Sequence, residues 1–314
     1  MKKIKQILSR IVSLLKIYFH LLQSICFSKT NQTTIIICFD GVVSHGGLLD
    51  RLKGAISFYE VVKHKNVEFK IHFNHPFQLT DFLEPNEVNW KIEKITYNPF
   101  QDQVLYLMNN FTVNPLDLIS SNKKKKYFVY CNIDYLNTIN SHLSEIKIHE
   151  LWRNNYKQLF KKSLFLNEAL AKLPKEDNIV CHTRFTTLMG DFADTTSIVL
   201  NEKEKETLVS KIIEKLVKIQ LKNENTPIYV LSDSVVFLNI IKEKTNFKTL
   251  VGTPKHVDVN SNSSNVDEHL KTFTDFYFIS NSNEVFLLVI DQMYNSGFSK
   301  YAAIIGNKKF NILK

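Results

Sequence analysis

A run of seven residues, Thr33-Thr34-Ile35-Ile36-Ile37-Cys38-Phe39, limits the architectures open to this chain more than any other segment. It is apolar and β-branched with no alternation, the pattern of a strand buried on both faces. A turn carrying Gly41 and Gly46-Gly47 comes next, and helical spacing then runs over 48–64. Strand, glycine turn and helix in that order make the repeating element of a doubly wound α/β domain. The chain holds only eight glycines, so those in pairs or beside Ser carry more meaning than usual.

The same alternation continues. Strands are predicted at 67–73, 91–97 and 127–133, a short helix at 77–83, and a long helical region over 146–173 that Pro174 ends. Lys123 to Lys126 is a basic loop, read as a solvated turn. Asn178 opens a second series: strands at 178–185, 227–232 and 248–251, helices at 202–221 and 235–244, and a last αβ segment from 266 onward. The chain therefore divides near 166–178 into two α/β halves, giving expected domains at 31–170 and 171–314 behind a first segment, 1–30. On pattern alone, a single large α/β sheet also fits the 314 residues. No period suggests a solenoid.

The first segment has its own character. Ile4, Ile7, Leu8, Ile11, Val12, Leu14, Leu15, Tyr18, Phe19, Leu21, Leu22 and Ile25 recur at i, i+3, i+4, i+7 and fill a little more than half of a helix's circumference. Lys16 and His20 interrupt them, so no apolar run of ~20 residues exists to cross a bilayer, and no small-residue cleavage site comes after. Two readings stand: a basic amphipathic helix on an anionic membrane, and a helix packed on its own domain. The formal net charge is +9, and Lys2, Lys3, Lys5, Arg10, Lys16 and Lys29 meet no acid in the first thirty residues. The remainder is only mildly basic, which argues against nucleic acid as a partner. Cys26, Cys38, Cys131 and Cys181 form no CxxC pair, and three lie in strand-like runs, as buried thiols of a reducing compartment would. The sequons at Asn31, Asn110 and Asn262 are expected by chance in so Asn-rich a chain.

Five motifs bear on chemistry. In Gly46-Gly47-Leu48-Leu49-Asp50-Arg51, a tight turn opens a helix whose amide end favours anions, although an Asp in a first turn is often only a dipole contact. In His182-x-Arg184 a strand delivers a planar cation suited to phosphate and an imidazole suited to a hydroxyl or base edge; a surface ion pair is the plainer account. In Tyr229-Val230-Leu231-Ser232-Asp233-Ser234 a buried strand ends in small polar residues at a carboxyl edge, where they bind a ligand or cap the next helix. Asp275 opens the aromatic run Phe276-Tyr277-Phe278, as a base reader or a cap. Ser296-Gly297-Phe298-Ser299 starts a helix, as a phosphate nest or an ordinary Ser cap.

In this order and placement, the motifs resemble the superfamily of GDP-fucose-dependent α1,2-, α1,6- and protein O-fucosyltransferases over roughly residues 35 to 306, as a remote bacterial member would. The resemblance implies a GT-B-like fold, two Rossmann-like domains facing a cleft, with an acceptor domain at 31–170 and a nucleotide-sugar domain at 171–314. It implies inverting transfer of fucose from GDP-fucose, the donor substrate, to a glycan acceptor; a transferase using another nucleotide sugar, and a non-catalytic glycan- or nucleotide-binding module on the same fold, are the rival readings. It gives Arg184 the β-phosphate, His182 the nucleoside, Asp275 the guanine, and Ser296, Gly297 and Phe298 phosphate contacts. Ser232 and Asp233 belong with the donor, and Gly47, Asp50 and Arg51 face fucose and acceptor. Two departures stand out. Phe185 to Met189 intervene before Gly190-Asp191, and the gap from Asp275 to Ser296 is long. No convincing DxD pair occurs, so no metal or cofactor is expected, and Arg184 with helix amides would stabilise the leaving diphosphate. Asp50 is the candidate base. The expected setting is the cytoplasmic membrane surface, in synthesis of a lipid-linked polysaccharide or lipopolysaccharide.

Overall fold

The computed structural model describes residues 2–192, 198–255, 257 and 265–314. The sequon at Asn262 lies outside them. By contact the chain forms two compact units: the first holds the described residues up to Lys162 together with Val257, the second the others from Ser163 onward.

The first unit starts with helix α1 (Lys2–Leu22) and strand β1 (Thr34–Phe39). Helix α2 (Leu48–Lys65) and strand β2 (Glu68–Phe73) come next. Then come β3 (Leu83–Pro85), β4 (Gln103–Tyr106), β5 (Lys126–Tyr130), α3 (Leu136–Ile139), α4 (Glu145–Leu159) and β6 (Phe160–Lys162). The main sheet has the order β2-β1-β5-β4, all parallel. All six β1 residues are buried, which is why the run shows no alternation. Helix α2 covers one face. Gly54 lets it approach so closely that a Cβ there would strike the carbonyl oxygen of Cys131. Helix α1 covers the other face. Its Ile17 and Leu21 join Ile36, Cys38, Val104, Phe128 and Tyr130 in one apolar cluster.

The second unit holds α5 (Leu164–Ala171), β7 (Ile179–Thr183), α6 (Glu202–Lys222), β8 (Ile228–Ser232), α7 (Val235–Lys244) and β9 (Lys248–Thr249). It ends with α8 (Asp267–Asn281), β10 (Glu284–Leu288), α9 (Gly297–Gly306) and β11 (Lys309–Leu313). Its parallel sheet has the order β11-β10-β7-β8-β9. Ile179 and Cys181 pack with Leu208, Ile212 and Leu216 of α6 and with Phe237 and Ile241 of α7.

Three expected elements come out differently. The helical region over 146–173 is two helices, because Phe160–Lys162 pairs antiparallel with Leu83–Pro85 and Ser163 then caps α5 through the Leu166 amide. The expected strand at 91–97 makes only isolated bridges, Ile71 to Lys91 and Ile25 to Tyr97. The helix expected at 77–83 is a single 3-10 turn, Leu79–Asp81. Cys38, Cys131 and Cys181 are buried free thiols, and Cys26 is partly exposed.

Candidate functional site

In the second unit the chain enters the sheet at β7 and builds outward through β8 to β9. It then returns to β7's other flank with β10 and β11. The strand order reverses at the carboxyl end of β7, the place where open α/β sheets leave a crevice for ligands. His182 is the next-to-last residue of β7, and Arg184 lies one residue beyond its end. The backbone oxygen of Arg184 accepts the Tyr294 amide at 3.1 Å, tying this turn to the segment that leads into α9. The guanidinium sits over the Phe192 ring at 4.7 Å, and its Nε is 3.3 Å from Asp233 Oδ2.

Asp233 comes directly after β8 and is buried. It accepts the Phe185 amide at 2.8 Å and the Thr186 amide at 2.7 Å. One carboxylate thus holds both the arginine and the turn after it. Burial pushes this carboxyl up, while Arg184 and the two amides pull it down, with burial the stronger. Ser232 Oγ accepts the Ser234 amide at 3.1 Å, and Ser234 caps α7 through the Phe237 amide. Asp191 lies on the same helix start, accepting from Ser234 Oγ and the Val236 amide.

The His182 ring lies 5.7 Å from that of Phe298, which in turn lies 5.2 Å from Phe276. Burial, reinforced by Arg184 and Lys271, drives the imidazole pKa down to about 3. The ring is therefore neutral, and its buried Nδ1 has no hydrogen-bond partner among the described residues. The Ser299 hydroxyl, next to Phe298, is also buried without one. Buried polar atoms of this kind are rare and call for a ligand or water. Ser296 caps α9 by accepting the Phe298 amide at 3.2 Å, with Gly297 as the first helical residue.

Asp275 is neither a cap nor exposed. It sits inside α8, buried, in an ion pair with Lys271 one turn earlier. Burial raises its pKa, against the pull of Lys271. Lys271 escaped the sequence reading. Its only signal was the i, i+4 spacing to Asp275, which usually marks a solvated pair.

The first unit has its own reversal of strand order, at the carboxyl end of β1, where Asp40 stands. Asp40 accepts the Tyr130 hydroxyl at 2.7 Å and the Val42 amide at 3.1 Å, with His45 Nε2 at 3.4 Å. Burial would raise its pKa, but His45, Tyr130 and the Val42 amide together hold it down at about 2. The His45 ring stacks on Tyr130 and is fully buried. Asp40 was also missed, although its place directly after the first strand was the available signal.

The glycine turn packs against this cluster. Gly46 has φ +74°, a conformation that side chains disfavour. Gly47 occupies the N-cap of α2 in ordinary extended backbone. Asp50 lies in the first turn, half-exposed, with Lys53 Nζ at 3.2 Å. Arg51 is 1% exposed. It donates from Nε to the Gly46 oxygen at 3.2 Å and from Nη1 to the His75 oxygen, and lies over the Phe73 ring. It pins the glycine turn to the loop after β2.

No family model matches this sequence, and no curated protein matches it. Solved structures do. A mutant of Arabidopsis thaliana FUT1 in complex with GDP aligns with TM-score 0.55 and 11% identity, over 90% of this chain and 70% of that one. NodZ α-1,6-fucosyltransferase soaked with GDP-fucose aligns at 0.52 and 11%, over 87% and 92%. Fucosyltransferase NodZ from Bradyrhizobium aligns at 0.52 and 12%, over 88% and 92%. The chain thus shares with these structures a mixed α/β fold of parallel sheets.

Proposed function

We propose that the chain is an inverting glycosyltransferase that moves fucose from GDP-fucose to a glycan acceptor in surface polysaccharide or lipopolysaccharide synthesis. The observation that carries this is Arg184. It stands where the strand order of the second unit reverses, with its backbone tied to the segment leading into the Ser296-capped start of α9. A fixed guanidinium and a helix amide end are what a departing diphosphate needs. The unpartnered His182 Nδ1 beside the Phe298 ring suits a polar nucleotide. The fold shared with structures that hold GDP or GDP-fucose supports the same donor.

The first unit would serve the acceptor. Asp40 is buried, hydrogen-bonded and strongly acidic, a poor base. Asp50 is half-exposed in the first turn of α2 and keeps the role of base. The test is a transfer assay with GDP-fucose beside other nucleotide sugars, reading released nucleotide. Arg184→Lys is expected to lower turnover about 100-fold or more, because an ammonium cannot reproduce the planar fork. Near-normal turnover in that variant would remove Arg184 from the mechanism.

One observation favours a different nucleotide sugar on the same fold. Asp275, which the resemblance gives to guanine, is already paired with Lys271 and buried. A thermal-shift panel separates the two, since only a nucleotide bound tightly to the native state raises the transition strongly.

A further inference from the structure

Helix α1 carries two apolar stripes, whereas a helix that covers a sheet needs only one. Leu14, Ile17 and Leu21 face the first unit's sheet, with Ile17 and Leu21 fully buried. The second stripe is Ile4, Leu8, Ile11, Leu15 and Leu22, each 42–62% exposed. At roughly 100° per residue these five fall on one line, about a third of a turn round from the first. A further exposed apolar pair follows the helix. Phe27 and Phe100 are 65% and 89% exposed, and their rings lie 6.1 Å apart.

Charge says what covers it. Lys5 and Lys16 are exposed on α1, Lys29 lies just beyond it, and the sequence holds no acid before Asp40. A symmetric contact with a second copy would set these lysines against each other, with no carboxylate in the segment to meet them. Anionic headgroups meet them directly, and lysine stems reach such headgroups while the stripe sits below. No described helix is long and apolar enough to cross a membrane. We infer that α1, through its second stripe and the Phe27–Phe100 pair, docks the protein on the surface of an anionic lipid bilayer. The docked helix reaches the first unit's strand reversal, since its His20 Nε2 lies 4.0 Å from Asp40 Oδ2. On the transferase reading, the acceptor is then an amphiphile presented by that bilayer.

The test uses the full chain in co-sedimentation with phosphatidylglycerol-containing vesicles and with phosphatidylcholine vesicles. Circular dichroism and the thermal shift with GDP are recorded on the same preparations. The protein is expected to bind the anionic vesicles at least about tenfold more strongly than the neutral ones, and less strongly as salt rises. Leu8→Glu/Ile11→Glu touches only the outer stripe and is expected to lower anionic-vesicle partitioning about tenfold or more, with the fold intact. Lys5→Glu/Lys16→Glu should abolish the preference for anionic vesicles without entering the apolar stripe. Equal binding to both vesicle types, or unchanged binding by both double variants, would overturn the inference. So would a wild-type dimer that Leu8→Glu/Ile11→Glu dissociates in the absence of any vesicle binding. Vesicle binding as described without a GDP shift would leave the docking surface standing and remove GDP-fucose as the donor.

Discussion

Lys271 and Asp275 show how a buried charge pair reports on its surroundings. Each is under a tenth exposed, and each compensates the other. Removing one partner leaves an uncompensated charge in the interior, so Lys271→Met is expected to cost about 3–5 kcal/mol. Lys271→Met/Asp275→Leu removes both charges and should recover most of that loss, as urea unfolding of the variants will show. His182 gives the pH dependence. Its folded pKa of about 3 lies below the ordinary 6.5. An unfolded chain takes up a proton below that ordinary value while the folded one does not. The stability is therefore complete above pH ~6.5 and falls by roughly 1.4 kcal/mol per unit as pH drops toward 3. His182→Asn should flatten that part of the urea-midpoint profile between pH ~6.5 and ~4. Arg51 is a residue whose type was legible and whose place was not. The sequence put it in the first turn of α2, but only the folded end of β2 and the loop after it supply the Phe73 ring and the His75 oxygen that bury it.

Helix α1 answers to two surfaces at once. Its inner stripe belongs to the sheet, so Leu21→Ala should destabilise the protein by about 2–5 kcal/mol in thermal or urea unfolding. Leu8→Glu, on the outer stripe, should stay within about 0.5 kcal/mol. Equal losses would mean that the outer stripe is also buried against protein. The spacing showed that α1 is apolar over more than half its circumference. It could not apportion that arc between the sheet and the outside. The long helical region over 146–173 was readable as helix at both ends, and Ser163 is a good cap in sequence as well. What broke it was pairing with Leu83–Pro85, some eighty residues away. Strand β4 has four residues and half-buried ends. It borrows its conformation from β5, and no local signal of length or alternation announced it.

The parallel αβ succession of each unit places its reversal of strand order at the first strand of that unit, β1 and β7. If the second of these binds the nucleotide, hydrogen exchange with GDP should slow at 182–188, 232–236 and 294–299, and change far less within β1 and β2. Slowing confined to the first unit would reverse the assignment. Residue order alone was enough for the α/β class, the glycine turn before α2, the strand that carries His182, and the Ser cap of α9. These rest on periodicity, on backbone demands and on capping, all of which act within a few residues. The company each side chain keeps was settled in three dimensions. Folding set Asp233 against Arg184, Lys271 against Asp275 and Tyr130 against Asp40, and it turned the second stripe of α1 outward. Those outcomes depend on which strands become neighbours, and that pairing comes from the packing of distant segments into one core.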